Sequence, residues 1–176
     1  MKKIYLLFIF SLSVFLKSFS QEANPKIIFY EDTTKFSSLE EVLNLPELKN
    51  KVVYFDLWGT RCIPCLEEFK HMKSLKEHYK NKAVAFVYLK SPYGFDDSKE
   101  WKELVNKNNL EGLHISMSIN FYTHNFWIKY QEKYTEERQY AIPTYLIANR
   151  KGVIVNFDAS RPSKPEKLIK EIDKEL

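Results

Sequence analysis

Residues 51–65 read K-V-V-Y-F-D-L-W-G-T-R-C-I-P-C and hold the only two cysteines of the chain, Cys62 and Cys65. The first eight residues are mostly apolar, with β-branched and aromatic side chains, which is typical of a buried central strand. A Gly-Thr pair ends this run. Pro64 suits the first turn of a helix, where its missing N–H is not needed. The stretch therefore predicts a strand, a turn and a helix with Cys62 at its N-terminus.

Three kinds of site use a C-x-x-C pair. A purely structural bridge is disfavoured, because so small a loop restricts the unfolded chain only weakly. A closed zinc site usually takes four ligands, and no second C-x-x-C motif exists; the nearby His71 is more typical of a surface or core position. Leu66 after Cys65 excludes the C-x-x-C-H haem pattern. A redox-active pair with no metal and no cofactor is the favoured interpretation.

The position of Cys62 predicts its chemistry. Unpaired N–H groups and the helix dipole favour an anion there, and thiols placed this way have pKa values lowered to about 3.5–7.5. Arg61 would add a positive charge with the same effect; the alternative is a solvated cation that hardly affects the thiol. We expect Cys62 to be the nucleophile and Cys65, one turn deeper, to be the resolving thiol.

The order of predicted elements indicates an α/β fold with a mixed central sheet flanked by helices. One helix is expected from Pro64 through Tyr79, because apolar side chains recur there at helical spacing. A capping box of Ser38 with Glu41 begins a short helix. The other predicted elements are strands over 27–30, 83–89, 113–115, 145–148 and 153–157 and helices that begin at Asp97 or Ser98 and at Pro165.

The first 20 residues have the pattern of a secretory signal peptide cleaved after Ser20: a basic start, an apolar run and small residues before the cut. The apolar run is shorter than the ~20 residues that a membrane span needs, although an uncleaved membrane anchor is the alternative. We expect an exported protein that is soluble in the periplasm. After residue 20 there remain 24 basic and 23 acidic residues, interspersed along the chain, which predicts no nucleic-acid partner.

Two segments together resemble one known family. W-G-T-R-C-I-P-C-L-E-E-F at 58–69 and I-P-T-Y-L-I-A-N-R-K-G-V-I-V at 142–155 are similar to the active-site and proline-containing segments of exported TlpA/ResA-like thiol–disulfide oxidoreductases. The resemblance implies a thioredoxin-like fold in which Cys62 and Cys65 are the catalytic redox pair. It divides the chain into a signal peptide (1–20), an N-terminal extension packed on the domain (21–48) and a thioredoxin-like domain (49–176).

The resemblance also implies roles for a proline and two carboxylates. Pro143 matches the cis-proline that faces the cysteines, and the backbone of Ile142 would pair with an extended substrate segment. Asp56 resembles the buried acid of thioredoxin, and burial would raise its pKa. Glu68 matches a buried glutamate of the TlpA/ResA-like group, the alternative being that it faces water. Each carboxylate would exchange a proton with Cys65.

The sequence departs from the family in two places. Arg61 stands where many members have Trp or another bulky residue, which removes an apolar cover from the disulfide. The segment 116–140 is longer than the usual connection and rich in aromatic residues. We interpret it as a lengthened helical segment that packs in the core before the cis-proline strand, with a partner-docking surface as the alternative.

The function that these features imply is thiol–disulfide exchange with protein thiols and disulfides of the cell envelope. The family implies a reductant that is recharged by a membrane-bound thiol reductase, although the residue types alone do not fix the direction. Three alternatives stay open. They are a thiol peroxidase, whose usual Pro-x-x-x-Thr-x-x-Cys context is missing here, a copper-handling protein that uses His114 or His124, and a non-catalytic binding module.

Overall fold

The structure is a computed structural model that describes residues 27–93, 98–133 and 140–176. Its strands form one six-stranded sheet in the order β1-β4-β3-β2-β5-β6. The first four strands in this order are parallel to one another, and β5 is antiparallel to both β2 and β6. The sheet is therefore mixed, as predicted. Its strands are β1 (Ile27–Tyr30), β2 (Val52–Trp58), β3 (Val84–Lys90), β4 (Gly112–Ser116), β5 (Thr144–Ala148) and β6 (Ile154–Asn156).

Helices cover both faces of the sheet. One face packs against α2, α3, α4 and α6, and the other against α1 and the aromatic segment after β4. Every residue of β2 is buried, because this strand lies between both layers. The helices are α1 (Leu39–Leu43), α2 (Ile63–Phe69), α3 (Met72–Tyr79), α4 (Ser98–Lys107), α5 (Ile119–Tyr122) and α6 (Pro165–Asp173), with shorter helical turns at Pro46–Leu48, Thr123–Ile128 and Gln131–Lys133.

The single helix predicted from Pro64 through Tyr79 is wrong, because the chain forms α2 and α3 with a break at residues 70–71. The N–H of Lys70 donates to the carbonyl of Glu67 at 3.3 Å, and that of His71 to Glu68 at 3.0 Å. Hydrogen bonds between residues three apart wind the turn more tightly and end the α-helix. The apolar side chains on both sides of the break still face the sheet.

The cap predicted at Ser38 is confirmed, but the reciprocal bond of the capping box is not. The Oγ of Ser38 accepts the N–H of Glu41 at 3.3 Å. The Glu41 carboxylate accepts instead from Ser37, from its N–H at 2.6 Å and its hydroxyl at 3.0 Å. Ser98 is the first residue of α4, and Asp97, the other residue predicted to begin that helix, lies outside the described residues.

The lengthened segment after β4 packs in the core, as predicted. Among its described residues, Tyr140 at the end of the segment is 43% exposed, while five aromatic side chains are buried and join the apolar cluster around α1. These side chains are Phe121, Tyr122, Phe126, Trp127 and Tyr130. The segment therefore supplies one layer of the sandwich.

The predicted signal peptide over residues 1–20 lies outside the described residues. Within the described part of the chain, none of the helices has the length and apolar character that crossing a membrane requires.

Candidate active site

The two cysteines are joined at the carboxyl end of β2, where the chain turns into α2. Cys62 occupies the N-cap position, and its Sγ is bonded to that of Cys65. The Cys62 sulfur also accepts the backbone N–H of Cys65 at 3.2 Å. Cys65 is buried and Cys62 is partly exposed, while Ile63 between them is 72% exposed. The geometry thus presents Cys62 to an incoming molecule and keeps Cys65 inside.

The segment before β5 lies beside Cys62. The Ile142–Pro143 peptide bond is cis, as predicted. A Cβ placed on Gly59 would lie 3.1 Å from Cδ1 of Ile142 and 4.0 Å from Cβ of Cys62. The absence of a side chain at Gly59 therefore lets Ile142 pack against the turn that leads to the disulfide. The structure brings Ile142 to the turn that carries Cys62, and the roles of Ile142 and Pro143 in substrate binding stay predictions.

Asp56 is buried at the centre of β2, opposite Tyr88 of β3 and Tyr145 of β5. Within the described residues, neither oxygen of its carboxyl group and neither tyrosine hydroxyl has a hydrogen-bond partner. Burial raises the pKa of Asp56 well above its usual value, and the charge of Glu68 adds to this. The carboxyl group is therefore held in its protonated form over a wider pH range than in water.

The row of polar groups continues from Tyr88 across the sheet. The Tyr88 ring stacks on His114 of β4, with ring centroids 4.6 Å apart, and Lys76 Nζ lies 5.4 Å from the Tyr88 ring centroid. Burial lowers the pKa of Lys76 to about 7 and that of His114 to about 3. Asp56 thus lies in a row of buried groups that favour their neutral forms, and sequence reasoning missed both tyrosines in this row.

Glu68 is buried on the helix that follows the cysteines, so the alternative in which it faces water is wrong. Its carboxylate accepts the backbone N–H of Ser163 at 2.9 Å and the Ser163 hydroxyl at 3.0 Å. Arg161 Nη1 lies 3.8 Å from the same carboxylate. Glu68 therefore connects α2 to the segment before α6, and its proton-transfer role stays a prediction.

Arg61 lies on the surface, and its Nη2 is 3.8 Å from the Glu100 carboxylate of α4. The Arg61 side chain is 62% exposed, and solvent weakens the effect of such a charge on its neighbours. The influence of Arg61 on the Cys62 thiol stays a prediction.

The two histidines considered as copper ligands lie away from the pair of cysteines in the chain. Nε2 of His114 lies 2.6 Å from the carbonyl oxygen of Leu110, inside the core. His124 lies in the helical turn Thr123–Ile128. Across the described ranges, no group of three or more His, Cys, Asp or Glu side chains is arranged to hold a metal ion.

Comparisons with known proteins agree with this geometry. The Redoxin family matches residues 21–172. Thiol-disulfide oxidoreductase ResA of Bacillus subtilis is 40% identical over 45 residues, which are 26% of this chain and 25% of that protein. ResA of Halalkalibacterium halodurans is 40% identical over 47 residues, 27% of each chain. The matched segment thus spans about a quarter of these curated relatives.

Solved structures extend the likeness over most of the chain. A Bacteroides vulgatus protein provisionally named a thiol-disulfide oxidoreductase has a solution structure that is 28% identical, with a TM-score of 0.53 over 73% of this chain and 75% of that one. A crystal structure so named from the same organism is 26% identical, with a TM-score of 0.56 over 75% and 83%. The thioredoxin-like fold is therefore confirmed.

Proposed function

Since the chain belongs to the Redoxin family, we propose that it is a thiol–disulfide oxidoreductase whose substrates are disulfides and thiols of other proteins. The observation that supports this best is the Cys62–Cys65 disulfide at the start of α2, with Cys62 facing outward beside Ile142.

The proposed reaction proceeds by two exchanges of sulfur bonds. The Cys62 thiolate attacks one sulfur of a substrate disulfide, so a mixed disulfide forms and the other substrate sulfur leaves as a thiolate. The Cys65 thiolate then attacks the Cys62 sulfur, which closes the Cys62–Cys65 disulfide and releases the second substrate thiolate. The substrate gains two electrons and the pair of cysteines loses two. Run backward, the same steps oxidise a dithiol.

We assign the supporting roles from the positions of the side chains. The backbone N–H of Cys65 stabilises negative charge on the Cys62 sulfur, and Arg61 adds a weaker, solvent-screened attraction. Asp56 takes the proton that Cys65 gives up before it attacks, because burial raises the pKa of Asp56 and makes it a stronger base than an exposed carboxylate. Glu68 assists as a second carboxylate and orients α2. Ile142 and Pro143 bind the extended substrate segment.

The simplest decisive experiment is reduction of insulin disulfides by residues 21–176 in the presence of dithiothreitol. We expect Cys62→Ser to abolish the activity and Cys65→Ser to accumulate a mixed disulfide, while Ser74→Ala on α3 behaves as wild type. Unchanged activity in Cys62→Ser would overturn the proposal. Peroxide consumption by Cys65→Ser in place of disulfide exchange would favour the thiol peroxidase, and Cu(I) binding without exchange would favour the copper-handling module.

We propose further that the protein is exported, with cleavage after Ser20, and acts as a reductant recharged by a membrane-bound thiol reductase. The support is the N-terminal sequence pattern and the TlpA/ResA-like motifs. N-terminal sequencing of the protein from a periplasmic fraction tests the cleavage, and recovery of residues 1–20 in the membrane fraction would favour an anchor. A Cys62–Cys65 reduction potential of about −270 mV would support a reductant, whereas about −120 mV would indicate an oxidant.

A further inference from the structure

A cavity of about 460 Å³ shares a wall with the turn that carries the disulfide. Its lining residues are Ser91, Tyr93, Tyr122, Thr123, Tyr140 and Ile142. Ile142 is the shared wall, because the same side chain packs on Gly59 next to Cys62. A polypeptide whose cysteine reaches Cys62 would therefore have a neighbouring side chain close to this cavity.

Three tyrosine rings give the cavity its chemical character. Tyr122 is buried, and its ring centroid lies 5.3 Å from that of Tyr93 at an interplanar angle of 83° and 6.3 Å from that of Tyr140. The rings thus present both faces and edges toward one space, an arrangement that suits another aromatic ring. Within the described part of the chain, none of the six lining residues carries a charge at neutral pH.

Tyr93 and Tyr140 form the outer walls of the cavity, and both side chains are exposed. Tyr93 is 57% and Tyr140 43% exposed, and both line the same cavity. Clustered exposure of this kind marks an interaction surface, whereas single exposed apolar residues do not.

The backbone of Tyr140 is held in a conformation that a non-glycine residue rarely adopts. Its φ is 63°, in the left-handed region. The Tyr122 hydroxyl donates to the Tyr140 carbonyl at 3.3 Å, and the Trp127 ring centroid lies 5.7 Å from that of Tyr140. Such strained residues cluster at ligand sites. The core thus fixes this wall of the cavity in place.

We propose that this tyrosine cavity is a specificity subsite for an aromatic or large aliphatic side chain of the substrate polypeptide, within two residues of the cysteine that is attacked. The proposal rests on the function proposed above and names the substrate class of the same site. An extended segment paired with the Ile142 backbone would give affinity through its main chain, and a side-chain pocket beside it would give specificity.

A second cavity, lined in part by Pro143, differs in chemical character from the tyrosine cavity. The surface around the cis-proline is therefore not uniformly apolar. The second cavity measures about 260 Å³, and its lining includes Arg161, Lys164, Lys167 and Asp158. Charged side chains thus line the cavity that includes Pro143, whereas uncharged and mainly aromatic side chains line the cavity that includes Ile142. A cationic substrate side chain could lie over tyrosine rings, but the described lining of the tyrosine cavity includes no carboxylate to offset its desolvation.

The test uses disulfide-linked model peptides that differ only at the position two residues before the cysteine, with Ala, Leu, Phe, Lys or Glu there. The measured quantity is kcat/KM for reduction by the full reduced protein. We expect the Phe and Leu peptides to react about tenfold faster than the Ala peptide, since burial of such a side chain corresponds to a factor of this order. The Lys and Glu peptides should match or fall below Ala.

A substitution in the outer wall of the cavity tests whether the preference for Phe over Ala arises there. Tyr93→Ala should reduce the Phe-to-Ala ratio to about one-third or less of the wild-type ratio. Val155→Ala removes an apolar side chain of similar exposure on the far edge strand β6 and should leave the ratio unchanged. The wild-type ratio itself tests the proposal even if Tyr93→Ala does not fold.

The outcomes separate this proposal from the proposed function. Equal kcat/KM for all five peptides, or the highest value for the Lys peptide, would overturn the subsite and leave the oxidoreductase intact. A protein that reduces none of the peptides and no insulin would overturn the proposed function itself.

Discussion

Asp56 carries a carboxyl group that is buried in the core, and its ionisation is linked to stability. In the unfolded chain its pKa is near 3.9, and in the folded protein burial raises the pKa well above that. Between the two values the folded protein binds more protons than the unfolded chain. The contribution of Asp56 to stability is therefore present at low pH and is lost as the pH rises through the folded pKa.

We predict opposite effects of Asp56→Asn on stability and on activity. At pH 8 the variant should be more stable than wild type by about 1–3 kcal/mol, because burial disfavours the charged form of Asp56 while the unfolded chain ionises it freely, and asparagine carries no such charge. At pH 4 the gain should vanish, because the wild-type carboxyl group is then neutral. Disulfide exchange at pH 7 should slow by about tenfold or more, since the proton acceptor is lost.

Urea unfolding at the two pH values and the rate of insulin reduction measure these effects. Glu47→Gln is the control, because Glu47 is an exposed carboxylate in the short helical turn Pro46–Leu48. A stability gain of the same size at pH 4 and pH 8 would contradict the assigned ionisation. An unchanged exchange rate would remove Asp56 from the proposed mechanism.

The sequence predicted the burial of Asp56 but not the groups around it. An acidic residue inside an apolar run can be recognised from its position alone. Tyr88 and Tyr145 resemble ordinary strand aromatics, and they become neighbours of Asp56 only through the pairing of β2 with β3 and β5. Glu100, the partner of Arg61, likewise depends on where α4 packs.

At the scale of elements, Glu68 ties α2 to the segment before α6. Two hydrogen bonds from Ser163 and a weak ion pair with Arg161 meet at one buried carboxylate. We predict that Glu68→Ala lowers the free energy of unfolding by about 2 kcal/mol, because hydrogen bonds to a charged group contribute about 1.5–3 kcal/mol each before the segment relaxes. Urea unfolding at pH 7 measures the loss.

Glu67→Ala is a matched control on the same helix. Glu67 is exposed, and its carboxylate forms an ion pair with Lys70. Such surface ion pairs contribute about 0–1 kcal/mol to stability. Both variants gain the same helix propensity from alanine. The difference between their free energies of unfolding therefore measures what the buried contacts of Glu68 contribute. Equal losses would show that the contacts of Glu68 with Ser163 do not stabilise the fold.

Elements were predictable where one local pattern decides them. The alternation of apolar and turn residues located all six strands, and Pro165 marked the start of α6. The break between α2 and α3 was not predictable, because Phe69, Met72 and Leu75 keep helical spacing across it. Its cause is a change in backbone hydrogen bonding, which leaves no mark in the spacing of apolar side chains.

At the scale of the whole molecule, the antiparallel strand β5 brings the parts of the site together. The parallel strand β2 delivers Cys62 at its carboxyl end, and β5 runs the other way, so its amino end lies at the same edge of the sheet. Ile142 and Pro143 precede β5 and therefore meet the disulfide. The tyrosine cavity depends in addition on the packing of the segment after β4, which only the folded structure defines.

The last prediction concerns residues 21–48, which the sequence divides from the domain that follows. The edge strand β1 pairs with β4 over four residues, and α1 places Leu39 and Val42 in the core with no exposed surface. We predict that Leu39→Ala lowers the free energy of unfolding by about 2–5 kcal/mol, as expected for a cavity in a core.

Residues 49–176 alone should lose cooperative unfolding, because the apolar face under α1 would then be open to water. Urea unfolding of residues 21–176, of the variant and of the shorter chain measures this. Ile128→Ala, 42% exposed, is the control and should change stability by less than about 0.5 kcal/mol. If residues 49–176 unfolded with the same midpoint and steepness as residues 21–176, the extension would be an appendage rather than part of the core.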